Sequence, residues 1–198
     1  MSADFERAAS AAVTLLLAKR SVPNVKSLIY ADDAVRLVSY KQVAAKLRVS
    51  RDRFAEEYAE SRYAYTKLSS NGIYYILYND ALIDNELRSH LAHEYAHTLL
   101  GHTVGGANDS EETEADCCSR VLLCPAPAAD ELDLVTKTDY IRAFRVGSEM
   151  ASQAVRCRAF DRDLIGDAAP KLLDAMRPSL PYMRKTPVRM IKLDVVCV

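Results

Sequence analysis

The segment His93-Glu94-Tyr95-Ala96-His97 constrains this chain more than any other stretch. On an α-helix, positions four apart share a face. His93 and His97 can therefore present imidazole nitrogens to one metal ion, while Glu94 can reach a water on that ion. The geometry requires a helix, and the sequence supplies its end: Gly101 follows the run and readily takes the left-handed conformation that closes a helix. All four histidines of the 198 residues fall between His90 and His102. The bland reading, a helix with two ordinary surface histidines, leaves the acidic segment that follows unexplained.

Two histidines do not complete a zinc site, which in hydrolases takes three protein ligands and keeps one position for water. The next predicted helix offers Glu111, Glu112, Glu114 and Asp116. Glu112 and Asp116 are four apart and share a face, whereas Glu111 and Glu114 point elsewhere. We therefore expect Glu112 as third ligand to one Zn2+, and Asp116 as acceptor for a histidine ring N–H. Glu114 is the alternative third ligand. Acids near a helix N-terminus also stabilise its dipole, which accounts for Glu111 and Glu112 but not for Asp116 further in. His90 is expected near the site or on an exposed helix face. His102 is expected to serve loop or helix-end carbonyls, and neither is assigned as a ligand.

With 49% hydrophobic residues the chain can bury a substantial core. Net charge is −1, so no global field favours nucleic acid. The best basic patch, Arg177, Arg184, Lys185, Arg189 and Lys192, is diluted by Asp174 and Asp194 and reads as solvated surface. Five cysteines, with Cys117 and Cys118 adjacent, do not form a disulfide framework and fit a reducing cytoplasm. Cys117, Cys118 and Cys124 lie in an apolar helical run and read as small buried hydrophobes rather than ligands. The apolar run 8–18 is preceded by Asp4 and Glu6 and followed by Lys19-Arg20, the reverse of a signal peptide, and is too short to span a membrane. It is expected as an amphipathic helix with Phe5, Ala9, Ala12, Val13 and Leu16 inward.

Further helices are expected over 24–30, with Pro23 at the first helical position, and over 41–47 and 51–60, the last capped by Ser50. Residues 35–40 alternate as a strand. Segments 63–68 and 73–78 are β-rich and flank Asn71-Gly72, a strong hairpin signal. Helices over 86–100 and 111–123 enclose a loop over 103–110 containing Gly105-Gly106, and the second stops before Cys124-Pro125. The remainder is mostly helical and ends in the apolar tail 191–198, expected to dock on the core or as a strand. The fold class is α+β: a small twisted sheet containing an antiparallel pair, packed on helices. Residues 1–130 would form the metal-binding unit, with 131–198 as a helical extension packed on it.

The segments HEYAHTLLGH and EETEADCCSRVLLCP resemble the ImmA/IrrE family of metallopeptidases. The family pattern continues from the histidines into a Leu-Leu-x-His stretch, a Glu-x-x-Ala-[Asn/Asp] helix, then a double leucine and proline. Those places are held here by Leu99, Leu100 and His102, by Glu112, Ala115 and Asp116, and by Leu122, Leu123 and Pro125. Upstream, SVPNVKSLIY, VRLVSYKQVAAKLRVS and NGIYYILYND are similar to the family's leading helix, strand and hairpin. Downstream, IRAFRVGSEMASQAVRCRAF is similar to its terminal segment, in which a helix, a turn at Val146-Gly147-Ser148 and a second helix suggest a helix-turn-helix around 139–160. Tyr95, Ala96 and the paired cysteines depart from the pattern without removing a chemical group.

The resemblance implies a gluzincin-like, zincin-type core and cleavage of a protein substrate, a helix-turn-helix repressor of a mobile element or a stress response. Zinc on His93, His97 and Glu112 would activate water, and Glu94 would be the catalytic base. The strand 73–78, if at a sheet edge, could hold an extended peptide, and Tyr74, Tyr75 and Tyr78 are oxyanion candidates by location. Two further readings stand beside this one: a zinc-containing regulator acting by partner contact without proteolysis, and a DNA reader using a helix over 149–160 with Gln153, Arg156 and Arg158. The flanking chain lacks the basic density that phosphate contacts need, which disfavours nucleic acid.

Overall fold

The computed structural model describes residues 3–102 and 108–184. The expectations for the centre of the 103–110 loop, for Lys185, Arg189, Lys192 and Asp194 of the basic patch, and for the tail 191–198 lie outside the described residues. The architecture is mixed α and β, with a three-stranded sheet among many helices.

Helix α1 (Phe5–Lys19) starts where the Asp4 side chain accepts the Arg7 backbone N–H. Its buried face is built from Ala8, Ala9, Ala12, Val13 and Leu16, small side chains that let α1 lie close against the helix carrying the acidic segment. Phe5, expected inward, is only partly buried and meets Phe160 edge-on with ring centroids 5.2 Å apart. Helix α2 (Val25–Tyr30) begins one residue later than expected. Asn24 is its cap and accepts the Ser27 N–H, so Pro23 stands before the cap rather than at the first helical position.

Strand β1 (Val35–Ser39) runs into α3 (Tyr40–Leu47) through a reciprocal Ser39–Gln42 capping box, which takes Tyr40 from the strand into the helix. Helix α4 (Arg51–Glu57) is capped by Ser50 and ends short of residue 60. Strands β2 (Ala64–Leu68) and β3 (Tyr74–Tyr78) form the antiparallel hairpin, with Ala64 opposite Tyr78 and Leu68 opposite Tyr74. Gly72 adopts φ +80° in the connection, a conformation that favours glycine.

The sheet order is β1-β3-β2, with β1 parallel to β3. Strand β3 is therefore central and hydrogen-bonded on both sides, so it cannot hold a peptide by its edge. That role is open to β2.

Helix α5 (Asp84–Leu99) packs against β2 and β3 on one side and against α6 (Asp109–Leu123) on another. Gly101 follows α5 at φ +65° and turns the chain back. An Asn108–Glu111 capping box opens α6, and Pro125 stops it ahead of α7 (Ala126–Glu131). Cys117, Cys118 and Cys124 are buried free thiols within this apolar run, and burial pushes the Cys117 and Cys118 thiols up to about 12, so they pack as small hydrophobes.

Helices α8 (Lys137–Phe144), α9 (Ser148–Ile165), α10 (Ala169–Met176) and α11 (Leu180–Arg184) complete the described chain. They share one hydrophobic cluster with the first part, α9 and α10 lying on α1. A buried two-pronged pair, Arg120 Nε to Asp161 Oδ2 and Nη2 to Oδ1, both at 2.7 Å, ties α6 to α9. The turn between α8 and α9 docks on α5. The Gly147 N–H donates to Ser89 Oγ at 2.8 Å, and the Ser148 N–H donates to the Glu86 carboxylate at 3.0 Å. A Cβ added at Gly147 would lie 2.3 Å from a Glu86 oxygen, so a larger residue here would have to displace the Glu86 carboxylate from its contact with the turn. Arg158, proposed from sequence as a base-reading residue, is tied instead to Asp130 and the Leu134 carbonyl. Arg177 pairs with Asp174 at 3.1 Å. Among the described residues no helix is long and apolar enough to cross a membrane.

Candidate metal centre

Helix α5 projects His93 and His97 from successive turns of one face, and the first turns of α6 bring Glu112 against them. One ligating atom from each of the three lies within 4.8 Å of the others. His93 Nε2 is 3.2 Å from His97 Nε2 and 3.2 Å from Glu112 Oε2, and His97 Nε2 is 3.6 Å from Glu112 Oε1. Two nitrogens and a carboxylate oxygen facing a common point, with the imidazole Nδ1 atoms turned outward, form a donor set suited to zinc.

Each outward Nδ1 has a partner. His93 Nδ1 is 2.9 Å from Asp116 Oδ1, one helical turn beyond Glu112 on α6. His97 Nδ1 is 3.0 Å from His102 Nδ1, and His102 Nε2 is 3.2 Å from Glu114 Oε2. Glu114 also accepts the Asp4 N–H at 2.9 Å and Arg7 Nη2 at 2.8 Å. One assignment of protons satisfies this row: His102 donates from Nε2 to the Glu114 carboxylate and accepts at Nδ1, and His97 donates from Nδ1 and keeps its Nε2 lone pair for a metal.

Glu114, the alternative third ligand, is thus spent on His102, Arg7 and the start of α1. It is not in the converging group, whereas Glu112 is. His102, expected to serve carbonyls through its ring, does something else. Its backbone N–H donates to the His97 carbonyl at 3.0 Å and its own carbonyl accepts Tyr74 Oη at 3.4 Å, but its ring supports His97. The left-handed Gly101 folds His102 back beneath α5. The signal was present in sequence, a histidine just past the helix cap, but its reach depended on that reversal.

The charges match a site that attracts one cation. Burial alone would lower His93, yet hydrogen bonds to Asp116 and Glu112, with Glu94 nearby, outweigh it and hold the imidazole up at about 10. Burial and the adjacent His93 charge pull His97 down to about 4. The His93 contact keeps Glu112 below the usual carboxylate range. The carboxylates that favour a positive charge on His93 would equally favour a cation held between the imidazoles.

Glu94 stands apart from the ligand set. Its Oε2 accepts Thr66 Oγ1 of β2 at 2.8 Å, and burial raises its carboxyl above the ordinary value. The cleft around it, about 610 Å3, is bounded by Ala64, Tyr65 and Thr66 of β2 and by Glu149, Met150 and Gln153 of α9. The helix read from sequence as a DNA reader therefore turns its first two turns toward the metal residues, a placement visible only in the packing. His90 also lines the cleft, its ring stacked on Tyr63 at 4.3 Å between centroids. Tyr74, Tyr75 and Tyr78 do not line it. They lie on the central strand, and the hydroxyl-bearing side chains that the sheet offers there are Tyr65 and Thr66. Tyr95, a departure from the family pattern, is buried and donates its hydroxyl to Asp32 at 3.1 Å, pinning α5 to the turn before β1.

Against protein-family models, curated proteins and solved structures, the chain finds no match.

Proposed function

We propose that this protein is a zinc-dependent metallopeptidase with a zincin-like core of the ImmA/IrrE type, making a site-specific cut in a cytoplasmic protein partner. The observation that carries this reading is the convergence of His93, His97 and Glu112 beside a carboxylate, Glu94, that takes no part in holding the metal. A purely structural zinc site closes its fourth position with a protein ligand and has no use for a neighbouring base in an open cleft.

Zinc bound here would supply a Lewis acid that polarises the scissile carbonyl and acidifies water. The chain's own groups do the rest. Glu94 takes the proton of the attacking water and delivers it to the leaving amine. Burial raises its carboxyl above the ordinary value, which favours its holding a proton between the two transfers, and Thr66 fixes its orientation. Asp116 and His102 hold the two imidazoles with Nε2 facing the metal. Strand β2, with one edge unpaired among the described residues, offers main-chain groups to an extended substrate along the cleft wall. By resemblance the substrate is a helix-turn-helix repressor.

The test is Glu94→Gln. It should keep stoichiometric zinc and lose about 10²–10⁴-fold in cleavage rate. Mapping newly created protein N-termini in cells producing the wild type or the variant reads this whatever the substrate is. New termini shared equally by both proteins, or none from a zinc-loaded wild type whose regulatory effect persists in Glu94→Gln, would sink the peptidase reading and leave a regulator that acts by contact.

A further inference from the structure

Helix α5 borders two separate cavities. Ser89, His90 and His93 line the cleft described above, whereas Arg88 and Leu91 line a separate cavity of about 260 Å3 that shares no residue with it. Three cations border this cavity: Lys26 from α2, Arg88 from α5 and Arg145 from the turn after α8. They face a single acid, Asp84.

The cations are under-partnered. Arg88 is half-buried and donates Nη2 to the Pro23 carbonyl at 2.9 Å, but its Nε is buried and has no acceptor among the described residues. Burial first, and the neighbouring Arg145 charge with it, pull the Arg88 pKa down. Among the described residues none of the three forms an ion pair, and the contact Lys26 makes through its ammonium is with the Tyr78 ring face. A guanidinium partly withdrawn from water near another, with no ion pair formed to it, costs stability that a bound anion would recover.

Arg145 holds φ +54°, the left-handed region in which glycine is the easier residue, and it does so as the cap of α8. Arg20 and Arg48 close α1 and α3 in the same conformation, so this is how these helices end, and here it places the exposed Arg145 side chain at the border of the cavity. Asn24 and Asn85 contribute side-chain amides to the same wall. The Asn24 carbonyl oxygen is committed to the Ser27 N–H, which leaves its NH2 as a donor.

We propose that this cavity binds a phosphate-bearing small molecule. Paired guanidinium forks match the tetrahedral oxygens of a phosphoryl group, the excess of cations favours a dianion over a monoanion, and the volume admits a small headgroup. The site is separate from the metal chemistry but lies on the same helix, less than two turns before His93.

The experiment titrates inorganic phosphate into the full-length protein by calorimetry at fixed ionic strength, with acetate as a monoanionic control. Wild type should bind phosphate saturably and more tightly than acetate. Arg145→Gly, which removes a guanidinium while relaxing the turn, should keep the fold and weaken phosphate by about tenfold or more. Lys26→Gln should weaken it less. Because phosphate can also reach a bound metal, Glu112→Ala supplies the reference: there the affinity should persist. No saturable binding by the wild type, affinity unchanged in Arg145→Gly, equal binding of acetate, or loss with Glu112→Ala instead would overturn the proposal.

Discussion

The two histidines of the candidate metal centre, His93 and His97, are supported in contrasting ways. His93 rests directly on Asp116, a carboxylate from the same helix that supplies Glu112, and that carboxylate is partly open to solvent with 43% of its side-chain surface exposed. His97 rests on His102, which rests on buried Glu114, which is held by Arg7 and the Asp4 N–H at the start of α1. The first support is one contact long and local to the α5–α6 pair. The second is three contacts long, enclosed, and joins residues separated by 95 and more positions in sequence. A short wet contact chiefly tunes the electronics of its imidazole, whereas a long dry one also fixes the fold around it.

This contrast is most sharply broken at His102. His102→Ala leaves His97 Nδ1 without its partner in a buried region, where an unmet polar group costs about 1–3 kcal/mol, while Glu114 keeps Arg7 and the Asp4 N–H. Zinc affinity should fall toward the larger end of the roughly 10–100-fold range typical of such supporting residues. The melting temperature of the metal-free protein should drop by about 2–12 °C. Competition with a zinc chelator and a thermal melt read the two effects separately. An unchanged melt would show that the enclosed row carries no structural weight.

Asp116→Asn probes the other support. Asparagine can still accept the His93 N–H through its side-chain oxygen but lacks the charge that raises ligand basicity, so zinc affinity should fall by about tenfold, at the smaller end of that range. Stability of the metal-free protein should stay within about 0.5 kcal/mol, as for other solvated substitutions. A variant that binds zinc more weakly than His102→Ala would reverse the order of importance proposed for the two supports.

What could be read from the chain before folding divides along the same line. The Asp116 support follows from helical periodicity alone, because Glu112 and Asp116 share a face of one helix, and so do His93 and His97. The His102 row does not. It depends on Gly101 reversing the chain, and on α1 packing across α6 so that Arg7 and Asp4 meet Glu114. The hairpin was legible from Asn71-Gly72, but the sheet order was not. The parallel pairing of β1 with β3 is a long-range contact with no local mark, and it moves the available edge from β3 to β2. Likewise nothing in the apolar pattern of α9 revealed that Glu149 and Gln153 would face the cleft.

The smallest effect is expected at the far end of the enclosed row, and it decides how far the metal centre extends. Arg7 is half-exposed, with 51% of its side chain in solvent, so its pair with Glu114 is screened and contributes less than about 1 kcal/mol. Glu114 would retain His102 and the Asp4 N–H as donors. Arg7→Gln should therefore weaken zinc by no more than about threefold, and the difference from wild type should shrink as salt is raised. Chelator competition at low and high ionic strength measures both. A tenfold loss that salt does not diminish would mean that the charge on Arg7 acts through a dry path, making α1 part of the metal centre rather than its packing partner.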